Sequence, residues 1–254
     1  MMVLLLTGLA LADGPFSPEG IYEFARYLYG QGEYLRAAGE FQRYLFLGRP
    51  PAGRRDSVLL RIGICYRKAG KFGKALRYFG KVGGSLREEA RYQAGLCYIY
   101  SGNYDTVALW NCTGPKLRTL IFAARLLDGR WKEARKIVPR EGRWRDILRM
   151  GINLPHRSPV LAGLLSGLVP GAGKIYCGRT WDGIYSLVTI GTFAWQSYSG
   201  FERDGRNSLK GWAFGAAAVI FYLGNIYGSA AAAKIYNLER WESFKNAVLD
   251  MLGD

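Results

Sequence analysis

The chain has 254 residues, with 35 Lys and Arg against 20 Asp and Glu, and is long enough for one or two domains with a hydrophobic core. Its single histidine, His156, leaves histidine-based triads, acid–base pairs and metal sites without a second member. We therefore expect no enzymatic activity, no metal and no cofactor.

The first twelve residues are typical of the end of a secretory signal. Residues 1–12 are apolar and finish on the small-x-small pattern Ala10-Leu11-Ala12 before Asp13. No basic residue precedes this run, and the run is short, so an apolar first helix is the alternative. We expect export, with residues 1–12 acting as a signal peptide.

A short phrase recurs four times in the first half of the chain. Each copy is a glycine, a polar residue, an aromatic, two mostly polar residues and a small residue, and the copies begin at Gly32, Gly70, Gly102 and Gly129. The spacings between these glycines are 38, 32 and 27 residues, close to the period of about 34 in tetratricopeptide repeats. Residues 19–138 resemble that family. The resemblance implies a helical solenoid whose concave face holds a peptide or partner protein.

At two positions of the repeats, the sequence predicts which side chains are buried between helices. Phe41 and Phe79 follow the small residue of their phrase by four positions, where a second helix would press a ring into the groove. Cys65 and Cys97 occupy equivalent places in adjacent repeats, and Cys112 and Cys177 complete the four cysteines. Buried thiols are expected, with a disulfide as the alternative.

The second half of the chain contains three uncharged apolar segments, at residues 158–173, 183–200 and 211–233. The last two are long enough to span a hydrocarbon core of about 30 Å, and the polar residues 201–210 separate them. Small residues four apart favour close helix packing in lipid; they are Gly163, Gly167, Gly211, Gly215, Gly224 and Gly228. We predict a transmembrane hairpin, preceded by a short re-entrant or interfacial helix and followed by a short C-terminal helix. A buried helical pair in a soluble protein is the alternative.

A second phrase lies at the end of the first apolar segment. It comprises Pro170, Gly171, Gly173, Tyr176, Gly178 and Arg179, with Asp182 and Gly183 just beyond. It resembles the Pro-Gly-x-Gly-x-x-Tyr-x-Gly-Arg motif of small bacterial two-helix membrane modules, a likeness that covers residues 158–237 and implies a bacterial inner membrane. Lys174 stands where glutamine is usual. A phosphate-binding loop is excluded, because Leu168 and Ile175 occupy the places of its first glycine and its hydroxyl residue.

The sequence therefore predicts an all-α protein with a repeat domain at residues 13–150 and a membrane module at 151–254. The repeat domain is the basic part, with 26 Lys and Arg against 13 Asp and Glu, whereas residues 151–254 have 9 against 7. No groove-reading motif accompanies this charge, so nucleic acid is not an expected partner. The candidate partner-facing side chains lie on the first helices of the repeats; they are Arg26, Arg61, Arg67 and Arg91.

Two functions fit these features. The first is a membrane-anchored adaptor whose repeats, expected on the periplasmic side, bind an envelope protein or peptide while the hairpin contacts membrane lipid. The alternative is a self-associating component of a transport or secretion complex, a homo-oligomer in which the glycine-rich hairpin is the active part.

Overall fold

The computed structural model describes residues 14, 16–111, 114–140 and 143–253. The predicted signal peptide at residues 1–12 and the thiol of Cys112 lie outside the described residues. The chain is 80% helical, with no β-strand in the described part, so the all-α prediction is confirmed. The chain divides into two compact units, residues 1–145 and 146–254.

The first unit consists of helices in consecutive pairs joined by short turns. The helices are α1 (Pro18–Gly30), α2 (Tyr34–Gly48), α3 (Ala52–Lys68), α4 (Phe72–Phe79), α5 (Arg87–Tyr100), α6 (Tyr104–Ala108), α7 (Pro115–Leu127) and α8 (Trp131–Arg135). Each helix packs against the next one along the chain. The Ser17 hydroxyl accepts a hydrogen bond from the Gly20 amide and so caps α1, with proline at the first helical position.

The four recurring phrases form the turns inside these pairs, and they share one geometry. Their glycines have φ between +70° and +82°, the left-handed conformation that glycine adopts without strain. In every copy the amide after the glycine donates to the carbonyl five residues earlier, as from Lys71 to Tyr66, at 2.8–2.9 Å. This bond satisfies a carbonyl at the helix end, as in a Schellman motif.

Small residues allow the paired helices to approach closely. A Cβ added at Gly63 would overlap the ring of Phe79, and one added at Gly95 would lie 3.0 Å from the ring of Trp110. The expected burial of the Phe79 ring against a small residue is therefore seen. Cys65 and Cys97 are fully buried and unbridged, which confirms the prediction of buried thiols.

The second unit is built around one long helix. Its helices are α9, which begins in the first unit (Trp144–Ile152), α10 (Pro159–Leu168), α11 (Ala172–Tyr176), α12 (Thr180–Asp204) and α13 (Leu209–Leu252). Helices α10, α11 and α12 all pack against α13. The Ser208 hydroxyl caps α13 by accepting from the Gly211 amide at 3.0 Å. Helix α10 is short as expected, because Pro170 lies two residues after its end.

The C-terminal residues do not form the separate short helix that we expected. They continue α13, which is 44 residues long. Residues 230–252 contain neither glycine nor proline, so nothing interrupts the backbone hydrogen bonds. A helix of this length measures about 66 Å, twice the thickness of a hydrocarbon core.

Among the described residues, one helix is long and apolar enough to cross a membrane. It is α13, with a mean hydropathy of 1.4 over 18 residues. Helix α12 contains the segment 183–200 and has 25 residues, but it does not meet the same criterion of apolarity. The second span of the predicted hairpin is therefore not identified by composition.

Candidate functional site

The first unit has a groove between α2, α3 and α4. It encloses about 520 Å³ and combines apolar side chains with three cations. Its lining includes Leu45, Phe46, Tyr78, Arg49, Arg55 and Lys81. No carboxylate is among the described side chains that line it. We call it the basic groove.

The basic groove is open to solvent, and one of its aromatic side chains, Phe46, is 79% exposed. The Lys81 ammonium lies 5.2 Å from the centre of the Tyr78 ring, a cation–π distance. Arg49 ends α2 in the left-handed conformation, with φ +40°. The arrangement can bind a segment that carries both acidic and apolar side chains.

The predicted partner-facing arginines do not line this groove. Arg26 is exposed and pairs with Glu23 at 3.2 Å, Arg61 is exposed, and the Arg91 guanidinium lies 5.1 Å from the ring of Trp110. Arg67 is only 7% exposed, with its guanidinium 6.0 Å from the Tyr100 ring, so it is an interior side chain.

Sequence reasoning missed the basic groove because it placed the partner on the first helices of the repeats. Of the groove cations, only Arg55 lies on such a helix, α3, whereas Arg49 follows α2 and Lys81 follows α4. Arg49 and Arg55 flank the pair Pro50-Pro51, which ends one repeat and begins the next. This junction between two repeats, with arginines on both sides, is the sequence feature that could have indicated the basic groove.

In the second unit, the glycines of the Pro-Gly-x-Gly motif allow three backbone segments to meet. A Cβ on Gly171 would overlap the carbonyl of Gly183, and a Cβ on Gly173 would overlap the carbonyl of Ala162. A Cβ on Gly183 would lie 2.7 Å from the Gly171 oxygen. These three positions admit only glycine, for steric reasons.

The remaining motif residues set the path of the chain into α12. Gly178 turns the backbone at φ +83°, and Arg179 pairs with Asp182 at 2.6 Å. The Tyr176 hydroxyl accepts the amide of Ser158 at 3.3 Å, and its ring lies 4.7 Å from the Arg157 guanidinium. The motif therefore acts as a packing element that holds α11, and with it Lys174, against α13.

The glycines at four-residue spacing contact neighbours within the chain to different degrees. A Cβ on Gly211 would lie 2.7 Å from Phe201, and a Cβ on Gly215 would lie 2.9 Å from the Ser197 hydroxyl. The other four positions have more room. A Cβ on Gly163 or Gly167 would lie 3.8 Å or 3.9 Å from Ile226, and a Cβ on Gly228 would lie 3.8 Å from Lys174. A Cβ on Gly224 would have no atom within 4 Å. A Cβ on Gly200, which the spacing rule did not select, would lie 2.6 Å from the Gly211 amide nitrogen.

The interior of the second unit contains polar side chains beside apolar ones such as Phe244 and Val248. Ser166 and Ser229 are fully buried, and their hydroxyl oxygens lie 2.7 Å apart. The Gly173 amide donates to Ser166 at 2.9 Å, and the Ser229 hydroxyl donates to the Asn225 carbonyl at 2.8 Å. Since the single proton of Ser229 is used in that bond, Ser166 must donate to Ser229. The result is a directed chain of three hydrogen bonds linking α11, α10 and α13.

A second polar group surrounds Lys174. Its ammonium donates to the Ser186 hydroxyl at 2.7 Å, and Ser186 donates to the Asp182 carbonyl at 2.7 Å. The Tyr222 hydroxyl donates to the Gly167 carbonyl. Sequence reasoning noted Lys174 and Asp182 but passed over Ser186 and Tyr222, although a polar residue within an apolar segment is itself a signal of an interior contact.

Next to Lys174 lies a cavity of about 400 Å³, which we call the polar cavity. Its polar lining consists of Lys174, Ser186, Thr189 and Asn225. Asn225 is 4% exposed, and neither atom of its side-chain amide has a hydrogen-bond partner among the described residues. The polar cavity is therefore lined by an ammonium, the hydroxyls of Ser186 and Thr189, and an unpaired amide.

The second unit exposes many large apolar side chains. Leu168 and Trp181 are each 82% exposed, Tyr227 is 79% exposed, and Ile220 is 69% exposed. In contrast, the serines and asparagine described above are interior.

Comparison of the chain with protein-family models, curated proteins and solved structures finds no match.

Proposed function

We propose that the chain is a membrane-anchored adaptor, in which the helical-repeat unit binds a protein partner and the second unit holds it at a bilayer. One observation carries the proposal: the second unit exposes large apolar side chains and buries serine and asparagine. Exposed large apolar side chains over a partly polar interior suit a protein whose solvent is lipid. The apolar segment of α13 supplies the length needed to cross it.

The repeat unit supports the binding part of the proposal. Its four turns share the same positive-φ glycine and the same closing hydrogen bond, as stacked units of a tetratricopeptide-like solenoid would. Solenoids of this kind act as binding surfaces. The partner that fits the basic groove best is an acidic segment with apolar side chains, because Arg49, Arg55 and Lys81 surround Phe46 and Tyr78.

The motif resemblance supports a bacterial inner membrane, and the signal-like sequence of residues 1–12 supports a periplasmic repeat unit. A self-associating hairpin is less well supported, because Gly211 and Gly215 already contact Phe201 and Ser197 of the same chain. Their small surfaces are therefore occupied within one molecule.

Crosslinking mass spectrometry on native membranes tests the adaptor. The full-length protein would carry a photo-crosslinking residue in place of Phe46, with Arg55→Glu plus Lys81→Glu as the charge-reversed variant. Arg26→Glu plus Arg61→Glu is the matched control, because it reverses two exposed charges outside the groove. We expect crosslinks to one acidic partner, lost in the groove variant and kept in the control. Equal crosslinking in both variants, or crosslinks only between copies of this chain, would refute the adaptor.

A further inference from the structure

The amide of Asn225 is the strongest unexplained feature of the second unit. It lines the polar cavity, is 4% exposed and has neither its Nδ2 nor its Oδ1 paired. A buried amide without a partner lowers the stability of the fold. A group that completes its hydrogen bonds would recover that stability, so the site is built for an occupant that both accepts and donates.

Lys174 sets the charge of that occupant. One of its three N–H donors is directed to Ser186, which leaves two for a ligand. No carboxylate is among the described side chains lining the polar cavity, so the ammonium is not neutralised there. A cation inside an apolar unit is costly and marks a binding function. The occupant is therefore an anion.

The rim of the cavity indicates how the rest of the occupant lies. Tyr185 is 75% exposed, Ile220 69% and Phe221 50%, and all three line the cavity. These side chains lie on α12 and α13 next to the charged interior, so one ligand can contact both. An anionic head joined to hydrocarbon chains has that form, which is the form of a phospholipid.

We propose that the polar cavity binds one anionic phospholipid whose headgroup carries a phosphate and a hydroxyl, as phosphatidylglycerol does. The phosphate accepts from Lys174 and from the Asn225 amide nitrogen, and the headgroup hydroxyl donates to the Asn225 oxygen. The acyl chains lie over Tyr185, Ile220 and Phe221. The inference rests on the membrane placement proposed above, but not on a protein partner in the basic groove.

Gly224 provides a direct way to close the site. It lines the polar cavity, and a Cβ added there meets no atom within 4 Å. Gly224→Leu therefore adds a side chain to the cavity lining from a position where the Cβ itself has room. Gly191→Leu on α12 is the matched control, because a Cβ at Gly191 also meets nothing within 4 Å and Gly191 does not line the cavity.

The test is native mass spectrometry of the full-length protein, extracted in mild detergent from bilayers of equal parts phosphatidylcholine and phosphatidylglycerol. We expect one phosphatidylglycerol per wild-type chain. Lys174→Met and Gly224→Leu should weaken its retention by about tenfold, the effect of losing about 1.4 kcal/mol. Gly191→Leu and Lys234→Met, which changes an exposed lysine of α13, should retain it.

Asn225→Leu separates a binding role from a structural one. It should weaken lipid retention like Lys174→Met, yet leave the melting temperature of lipid-free protein equal or higher, because it removes an unpaired polar group. Excess glycerol 3-phosphate should not displace the lipid, since the acyl chains contribute to binding. Displacement would identify a free phosphate compound as the ligand and overturn the proposal.

Two other results would also overturn it: equal retention of phosphatidylcholine and phosphatidylglycerol, or undiminished phosphatidylglycerol in Gly224→Leu. Flotation of every variant with vesicles is measured in parallel. A wild-type protein that fails to float contradicts the membrane placement itself. A protein that floats without lipid preference contradicts the polar cavity alone.

Discussion

The hydroxyl oxygens of Ser166 and Ser229 lie 2.7 Å apart, although 63 residues separate them in the chain. Ser166 also accepts the Gly173 amide, so it connects α10 to both α11 and α13. The packing of the second unit therefore depends on a buried polar contact as well as on apolar surface.

Ser166→Ala should destabilise the second unit. It removes the acceptor of the Gly173 amide and leaves that buried donor unpaired, which costs about 1–3 kcal/mol. The measurement is thermal unfolding of the full-length protein in detergent. Ser243→Ala, at an exposed position of α13, is the control and should melt like the wild type. Equal melting temperatures for the two variants would show that the contact contributes nothing.

The effect of replacing a glycine with alanine should depend on the backbone conformation at that position. Gly70→Ala places a side chain at φ +70° and should cost about 1 kcal/mol. Gly73→Ala lies in α4 with no atom within 4 Å of the new Cβ, and should gain about 0.5–1 kcal/mol. Denaturant unfolding of the first unit, followed in the full-length protein, measures both. The idea fails if the two variants change stability in the same direction.

Gly63→Ala should be destabilising for a different reason. The added Cβ would overlap the buried ring of Phe79, and overpacking of this kind costs about 1–3 kcal/mol. Adding Phe79→Leu should restore part of the loss, because the smaller side chain makes room. A double-mutant cycle on the free energies of unfolding tests the coupling between the two positions. Strict additivity of the two single-mutant effects would contradict it.

Cys65 and Cys97 should resist alkylation in the folded protein. Burial raises the pKa of each thiol to about 12, so the reactive thiolate is scarce and inaccessible. Peptide mapping after iodoacetamide treatment should find both unmodified in native protein and modified after unfolding. Rapid modification of either thiol in the native state would contradict their burial.

The raised pKa of the Cys65 and Cys97 thiols also predicts a loss of stability at high pH. The unfolded thiols ionise near their ordinary pKa of 9.0, whereas the folded thiols stay protonated up to about pH 12. The unfolded state therefore releases protons first, and stability falls as the pH rises from 9 towards 12. The stability difference between wild type and Cys65→Ala, measured by denaturant unfolding, should shrink over this range. A difference that stays constant would argue against the shift.

Arginine substitutions along α13 should distinguish lipid from water around the second unit. Ile220 and Leu238 are 69% and 59% exposed on the same helix. Ile220→Arg lies in the apolar segment and should cost about 2.5–3.5 kcal/mol of insertion free energy, whereas Leu238→Arg lies beyond it and should cost little. Carbonate extraction of membranes reports the retained fraction. If both variants remain equally membrane-bound, α13 does not cross the bilayer at residue 220.

The sequence alone determined the features that depend on neighbouring residues. The glycine turns at Gly32, Gly70, Gly102 and Gly129 were readable because a hydrogen bond between residues five apart and a positive φ are local requirements. The end of α10 before Pro170 and the all-helical class were readable for the same reason.

Tertiary structure decided which side chains face inward and where cavities form. Arg67 is interior, the basic groove joins α2, α3 and α4, and Asn225 meets Lys174 at one cavity. These relationships join residues far apart in the chain, and the rotation of one helix against another sets them. A helical pattern shows which residues share a face, but only packing against a neighbouring helix decides what that face meets.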